Sequence, residues 1–264
     1  LLFYLWYENN VIRTVRYEVR MPKGFDGFKI VHVSDLHDHR FGKGQKKLLA
    51  LIEREKPDII AITGDMIHNE YTQNALDFIE GAVKLCPVYY VIGNHECILS
   101  FKDEFLAELT ARGVVVLNDE SVTIERNDGQ IRLIGLSDPM TRNNARGPQA
   151  RREATAEKLA ELVAADPDDT YRLLLTHRPE MFEDYAAVDL ALAGHAHAGQ
   201  VRLPIYGAIL TPGEGFRPKY DVGQFEQGDM TMIVSGGLGS SNIVPRIHNR
   251  PQLVVVTGTA VTAD

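Results

Sequence analysis

The sequence is poor in the features that mark specialised protein classes. Two cysteines, Cys86 and Cys97, are too few for a disulfide framework and lack the spacing of a thiolate zinc site. Any bound metal must therefore be held by histidine, aspartate or asparagine. Basic residues are outnumbered 28 to 36, leaving a net charge of -8. A general nucleic-acid binder needs clustered Lys and Arg, so no nucleic-acid partner is expected. Internal repeats, low-complexity tracts and an apolar run of about 20 residues, the length that spans a bilayer, are all missing. What remains, 264 residues of which 44% are hydrophobic, is enough to bury one large core, and a monomer is expected.

The N-terminus, LLFYLWYENN, is apolar for seven residues and then turns polar, and it begins with Leu rather than Met. The natural chain is therefore expected to extend upstream. Residues 1–12 read as the remnant of an N-terminal anchor or signal segment, with Tyr4, Trp6 and Tyr7 at the level of a membrane interface. On this reading residues 13–264 form a single domain, tethered to a membrane through the N-terminal segment and lying on the extracytoplasmic face. A cytoplasmic location is the alternative, because Arg13, Arg16 and Arg20 oppose export. The competing reading of the stub is a strand or helix packed on the domain.

From Phe28 onward, short β-branched runs alternate with helical patterns: FKIVHV, KKLLALIEREK, DIIAIT, NALDFIEGAVKL, VYYVIG, DEFLAELTARG. That rhythm predicts β-α-β units and a largely parallel sheet buried on both faces. After Val114 it changes. VVVLND, SVTIERNDGQIRLIGLSD, TMIVSGG and QLVVVTG predict strands without intervening helices, the second stretch forming a hairpin around Asn127-Asp128-Gly129. A helix is predicted from about Gln149 to Ala165. The fold class is α/β, with either one mixed sheet or two packed sheets and helices outside.

The residues that follow these strands carry the chemistry. FKIVHV runs into Ser34-Asp35-Leu36-His37, DIIAIT into Gly64-Asp65, VYYVIG into Asn94-His95-Glu96, YRLLLT into His177, and LALAG into His195-Ala196-His197. Each alone has a bland explanation, a helix cap or a histidine satisfied by a carbonyl. On a strand, His195 and His197 would point to one face and reach a shared object. Five strands in succession ending in metal-binding residue types fit the rule that open α/β sheets deliver ligands to a crevice outside their carboxyl ends.

These ordered motifs, Asp35-Leu36-His37, Gly64-Asp65, Gly93-Asn94-His95-Glu96, His177 and Gly194-His195-Ala196-His197, resemble those of the calcineurin-like metallophosphoesterases. The continuations GQVRLPIYGAIL and GGLGSSNIVPR resemble a membrane-associated bacterial phosphodiesterase branch, which includes enzymes acting on a lipid-linked sugar nucleotide. The resemblance implies mixed β-sheets packed as a sandwich flanked by helices, a four-layer α/β/β/α fold. It further implies a binuclear metal-dependent phosphoesterase that hydrolyses a phosphodiester or pyrophosphate by direct attack of a metal-bridging hydroxide. Asp35, His37, Asp65 and His197 would hold one ion and Asp65, Asn94, His177 and His195 the other, with Asp65 as bridge. Such mixed imidazole and oxygen ligands suit two divalent transition-metal ions, Mn foremost, with Fe, Zn or Co as alternatives. His95 is the implied general acid, and Glu96 is expected to support the turn or the residues behind the metal ligands. Many relatives carry Asp or Asn three positions after the bridging Asp to orient that histidine; this chain has His68.

The expected substrate is a small phosphorylated or lipid-linked molecule. Arg142 and Arg146 in PMTRNNARGPQARRE, and Arg217, Lys219 and Tyr220 in TPGEGFRPKYDVGQFEQGD, are candidate substrate contacts, because guanidinium groups fit phosphate oxygens. The latter stretch reads as a long loop without regular structure. A solvated basic face is the alternative for the arginines. Phosphomonoesterase or protein phosphatase activity, and a non-catalytic binding scaffold, are the competing functions.

Overall fold

Runs such as KIVHV, IIAI and LALA have no polar face, so they are stable only with both faces covered. The computed structural model of the chain, described for residues 1–142, 147–167, 169–185, 187–212, 214–240 and 244–260, covers them with a second sheet on one side and helices on the other. One six-stranded sheet contains β1 (Arg13–Met21), β2 (Lys29–Val33), β3 (Ile59–Ile62), β4 (Val88–Tyr90), β5 (Val115–Val116) and the last strand β16 (Gln252–Ala260), ordered β1-β16-β2-β3-β4-β5. All its pairings are parallel except β16 with β2.

The second sheet contains β6 (Glu120–Arg126), β7 (Gly129–Gly135), β8 (Arg172–Leu175), β9 (Leu190–Ala193), β14 (Gly223–Gln227) and β15 (Met230–Val234), ordered β14-β15-β9-β8-β7-β6. Antiparallel hairpins form both its edges around a parallel centre. Asn127, at φ +54°, supplies the left-handed turn that joins β6 to β7, as the sequence predicts. Between β9 and β14 lie two small ribbons, β10 (Arg202–Leu203) with β11 (Gly207–Ala208) and β12 (Leu210–Thr211) with β13 (Gly215–Phe216). The stretch 211–229 is thus not one irregular loop: it holds β13 and β14.

Three buried clusters define the layers. Ile30, Ile59, Ala61, Val254 and Val256 of the first sheet meet Leu133, Leu173, Leu175, Leu190 and Leu192 of the second. On the outer face of the first sheet, Val31, Val33, Ile60 and Ile62 pack under α2 (Lys46–Glu55), α3 (Gln73–Ala82) and α5 (Lys102–Ala111). The buried positions of α3, Ala75, Phe78, Ile79 and Ala82, follow the i, i+3, i+4, i+7 spacing of one helix face. Ile134, Leu174, Ala191 and Met232 on the far side of the second sheet pack with Leu159 of α6 (Pro148–Val163). The layers are α/β/β/α, the sandwich the resemblance implies.

The N-terminal stub requires a correction. Among the described residues no helix is long and apolar enough to cross a membrane, and the stub forms α1 (Leu2–Asn10), a helix of nine residues. Its polar residues dock. Glu8 is buried and accepts from the Asn249 backbone N–H at 2.7 Å, Asn9 bonds both backbone groups of Arg246 at 2.9 and 3.2 Å, and Tyr7 lies 4.7 Å beneath the Arg250 guanidinium. An anchored, extracytoplasmic chain, expected from this segment's apolar residues, is therefore not supported: the segment is a short helix hydrogen-bonded to the body of the protein.

Asn249 in turn donates to the carbonyl of His197 at 2.7 Å, so α1 buttresses one of the motif histidines. Asn9→Ala removes three partly buried hydrogen bonds, two to Arg246 and one to the Leu5 carbonyl, and should lower unfolding stability in urea by about 1–3 kcal/mol without changing secondary structure. An unchanged midpoint would show that the docking of α1 contributes nothing.

Candidate metal centre

Every motif residue lies just beyond the carboxyl end of a strand, where the two sheets present their parallel strands side by side. Asp35 and His37 follow β2, Asp65 follows β3, Asn94 and His95 open the short helix α4 (Asn94–Cys97) after β4, His177 follows β8, and His195 and His197 follow β9. The backbone here is unusual. Asp35, His37, Asp65, His195 and His197 all have φ between +44° and +67°. Left-handed backbone costs a non-glycine residue roughly 1–3 kcal/mol and persists only where the surroundings enforce it.

Hydrogen bonds supply that enforcement. Asp35 and His37 donate their N–H groups to the carbonyls of Gly64 and Asp65 at 3.1 and 3.0 Å, lacing two loops together. The buried Glu96 carboxylate accepts from the N–H groups of Gly93, Asp65 and Met66 at 3.0, 2.9 and 2.7 Å. Glu96 supports the turn, as expected. A Cβ at Gly93 would collide with the Asp65 carboxylate, and one at Gly194 with Ser34 and Asp35, so both motif glycines are set by close approach.

The side chains form two facing sets. In one, His37 Nε2 lies 3.1 Å from His197 Nε2, and Asp35 Oδ1 lies 3.4 Å from His197 Nε2. In the other, His177 Nε2 lies 3.0 Å from Asn94 Oδ1 and 3.1 Å from His195 Nδ1. Asp65 Oδ2 stands between them, 3.6 Å from His37 Nε2 and 3.2 Å from His177 Nε2. His195 and His197 therefore serve different sets, because their left-handed backbone breaks the strand alternation that would put them on one face.

The donor atoms fit a cation. His177 Nδ1 stands 2.7 Å from the Thr63 carbonyl and donates to it, so in the neutral ring a lone pair on Nε2 faces Asp65, Asn94 and His195. With His177 deprotonated at Nε2, that nitrogen, Asp65 Oδ2, Asn94 Oδ1 and a His195 ring nitrogen can be shared by one cation in place of a proton. Asp35, His37 and His197 form one buried group whose ligand atoms lie within 4.8 Å of one another, Asp65, His177 and His195 form a second, and His37 with the less buried His68 and His95 forms a third, which lacks a carboxylate.

Comparison with known proteins agrees with this geometry. The family model for calcineurin-like phosphoesterases matches residues 28–199. The chain belongs to the calcineurin-like phosphoesterase family. It is similar to an uncharacterised metallophosphoesterase, YkuE, of Bacillus subtilis strain 168, with 32% identity over 95% of this chain and 86% of that protein. It is 28% identical to the phosphodiesterase YaeI of Escherichia coli K12 over 87% of this chain and 81% of that one. Among solved structures, the phosphopantetheinyl hydrolase PptH of Mycobacterium tuberculosis shares the fold, with a TM-score of 0.51, 13% identity, and coverage of 81% of this chain and 91% of that one.

Electrostatics at this centre favour cations. Burial alone would raise the pKa of Asp35 and Asp65, but the imidazoles of His197 beside Asp35 and His177 beside Asp65 outweigh it and hold both carboxyls well below the usual range. Burial would lower His177, yet Asp65 lifts it to about 10. Burial lowers His195 and takes His197 down to about 3. His177 thus carries an extra proton beside the ionised Asp65, while His195 and His197 are neutral. His95, half-buried, is also lowered by burial, with Asp65 opposing.

The candidate substrate contacts are engaged elsewhere. Arg142 donates both its close bonds to the Asp119 carboxylate at 2.8 and 2.9 Å. Lys219 and the Tyr220 hydroxyl both meet Glu183, at 2.9 and 3.1 Å, and the Tyr220 ring packs against Phe182 and Phe225. Arg217 is exposed on the ribbon beside Phe216, and Arg146 lies outside the described residues.

Two arginines that sequence reasoning missed do adjoin the centre. Arg178, nearly buried, donates to Asp138 at 2.6 Å and to Glu180 at 3.0 Å, and places NH1 3.4 Å from His195 Nε2. Arg246, fully buried behind Asp35, donates to the carbonyls of Gly236 and Gly239 at 2.9 and 3.1 Å, fixing the glycine loop whose Gly239 N–H bonds the Asp35 carbonyl. GGLGSSNIVPR carried the signal for Arg246. A lone Arg after a motif His carried none.

A pH dependence follows. A ligand must be deprotonated to bind metal, and His177 holds a proton in the metal-free protein throughout the neutral range. Binding must expel it, so affinity falls as pH falls. Between pH 6 and 8, Zn affinity should rise about tenfold per pH unit, with about one proton released per ion taken up at this site. Calorimetry in buffers of different ionisation enthalpy measures both; a pH-independent affinity would contradict this protonation state.

Proposed function

We propose that the protein is a binuclear metal-dependent phosphoesterase acting on a phosphodiester or pyrophosphate bond of a small substrate, with residues 13–264 as its catalytic unit. The observation that carries this reading is the position of Asp65 Oδ2, shared between two buried sets of ligand atoms. Asp35, His37, Asp65 and His197 would hold one ion; Asp65, Asn94, His177 and His195 would hold the other. A carboxylate suits the shared position because its charge offsets two neighbouring cations. Imidazole together with oxygen suits Mn, Fe, Zn or Co better than Mg or Ca. Bound there, two such ions would supply Lewis acidity to activate water and neutralise the phosphoryl oxygens.

The chain's own residues do the rest. His95 donates its backbone N–H to Asp65 Oδ1 at 2.9 Å, and its ring Nε2 lies 3.9 Å from Asp65 Oδ2. The imidazole thus stands at the open edge of the centre, within reach of a leaving oxygen. It donates the Nε2 proton to that oxygen as the ester bond breaks. Burial of the ligand sets excludes bulk water and strengthens every charge interaction within them. The choice of a diester draws on the relative named as a phosphodiesterase.

Mn-loaded protein should hydrolyse bis(p-nitrophenyl) phosphate. His95→Asn should retain its metals and lose about 10²- to 10⁴-fold in turnover with an alkoxide leaving group, but much less with p-nitrophenolate, which needs no proton. An equal loss for both would remove His95 from the proton-transfer step, and absence of turnover in the wild type would sink the hydrolase reading.

A further inference from the structure

The residue three positions after Asp65 is His68, where the family resemblance implies an acid or amide that orients the catalytic histidine. The structure shows what this imidazole does. His68 Nδ1 lies 3.0 Å from His95 Nδ1, with ring centroids 4.7 Å apart and planes inclined by 40°. At that distance one ring can donate its Nδ1 proton to the other, and neither nitrogen belongs to the two ligand sets around Asp65. The contact leaves His95 Nε2 as the nitrogen that faces Asp65 and the ligand sets.

His68 is itself held. Its backbone N–H donates to Asp38 Oδ2 at 2.9 Å, and Asp38, in left-handed backbone, donates its own N–H to the Met66 carbonyl at 3.1 Å. The ring rests edge-on to His37, centroids 5.7 Å apart. Loops after β2, β3 and β4 thus meet at His37, His68 and His95. A histidine ring turns through a broad χ2 well, and only a partner on one nitrogen fixes which nitrogen faces the reaction. Among the described contacts, His68 is the one that grips His95 Nδ1.

We propose that His68 is the positioning residue of His95: its Nδ1 pins the His95 ring so that Nε2 is presented to the leaving oxygen, an imidazole standing in for the usual acid or amide. The kinetic part of this inference rests on the hydrolase reading above. The pairing does not. His68 touches neither substrate nor metal on this account, and acts only through His95.

Two measurements on Zn-loaded protein test it. In protein labelled with ¹⁵N-histidine, a through-hydrogen-bond N–N coupling should connect His68 Nδ1 with His95 Nδ1. Its absence would overturn the pairing whether or not the protein turns over any ester. In kinetics, His68→Ala should lose up to about 10²-fold in kcat for a diester with an alkoxide leaving group, with KM unchanged, and far less for bis(p-nitrophenyl) phosphate. His68→Asn, whose amide reaches the Nδ1 position, should restore most of the loss, and His68→Phe should not. An equal loss for both leaving groups, a change in bound metal, or failure of Asn to rescue would overturn the positioning role. Zn-binding protein with the coupling but without turnover would sink the hydrolase reading and leave the pair standing.

Discussion

The structure is organised around one buried carboxylate that has to face two ways. Asp65 Oδ1 is taken by the His95 backbone, and Oδ2 is turned to His37 on one side and His177 on the other. An ionised carboxyl with so little contact with water is tolerable only among compensating groups. Here the compensation comes from imidazoles and backbone N–H groups, and bound cations would complete it. The protonation of His177 in the metal-free chain is the same requirement met by a proton.

Holding that carboxylate consumes much of the local architecture. The left-handed turns at Asp35, His37, Asp65, His195 and His197 each carry a conformational cost, and the close packing against Asp65 leaves no room for a side chain at Gly93. Glu96 binds the turn from beneath, Arg246 fixes the loop around Asp35, and α1 supports the His197 loop through Asn249. The two-sheet core makes this affordable. It provides rigid strand ends from both sheets, so that ligands more than a hundred residues apart arrive together.

Much of this was legible in the sequence because the signals were local. Uninterrupted runs such as KIVHV mark strands buried on both faces, and their endings, Ser-Asp-Leu-His and Gly-Asn-His-Glu, stand at the positions that fold to the centre. Burial on both faces did not reveal one sheet or two, since either arrangement covers both sides. The stub 1–12 misled because an apolar run reads alike for a membrane segment and a short docked helix; what decides, Glu8 and Asn9 bonding residues about 240 positions away, is tertiary. For the same reason Arg142 and Lys219 read as phosphate contacts, while their carboxylate partners, Asp119 and Glu183, were invisible. The strand geometry expected at His195 and His197 failed on backbone φ, which no residue spacing encodes.

The central claim is that Asp65 joins two metal sites, and electron paramagnetic resonance of Mn-loaded protein tests it most directly. The account predicts two Mn ions per chain, giving the spectrum of a magnetically interacting pair, and loss of that signal in Asp65→Asn while the protein remains folded. A single Mn per chain, or two ions with independent spectra in the wild type, would contradict it.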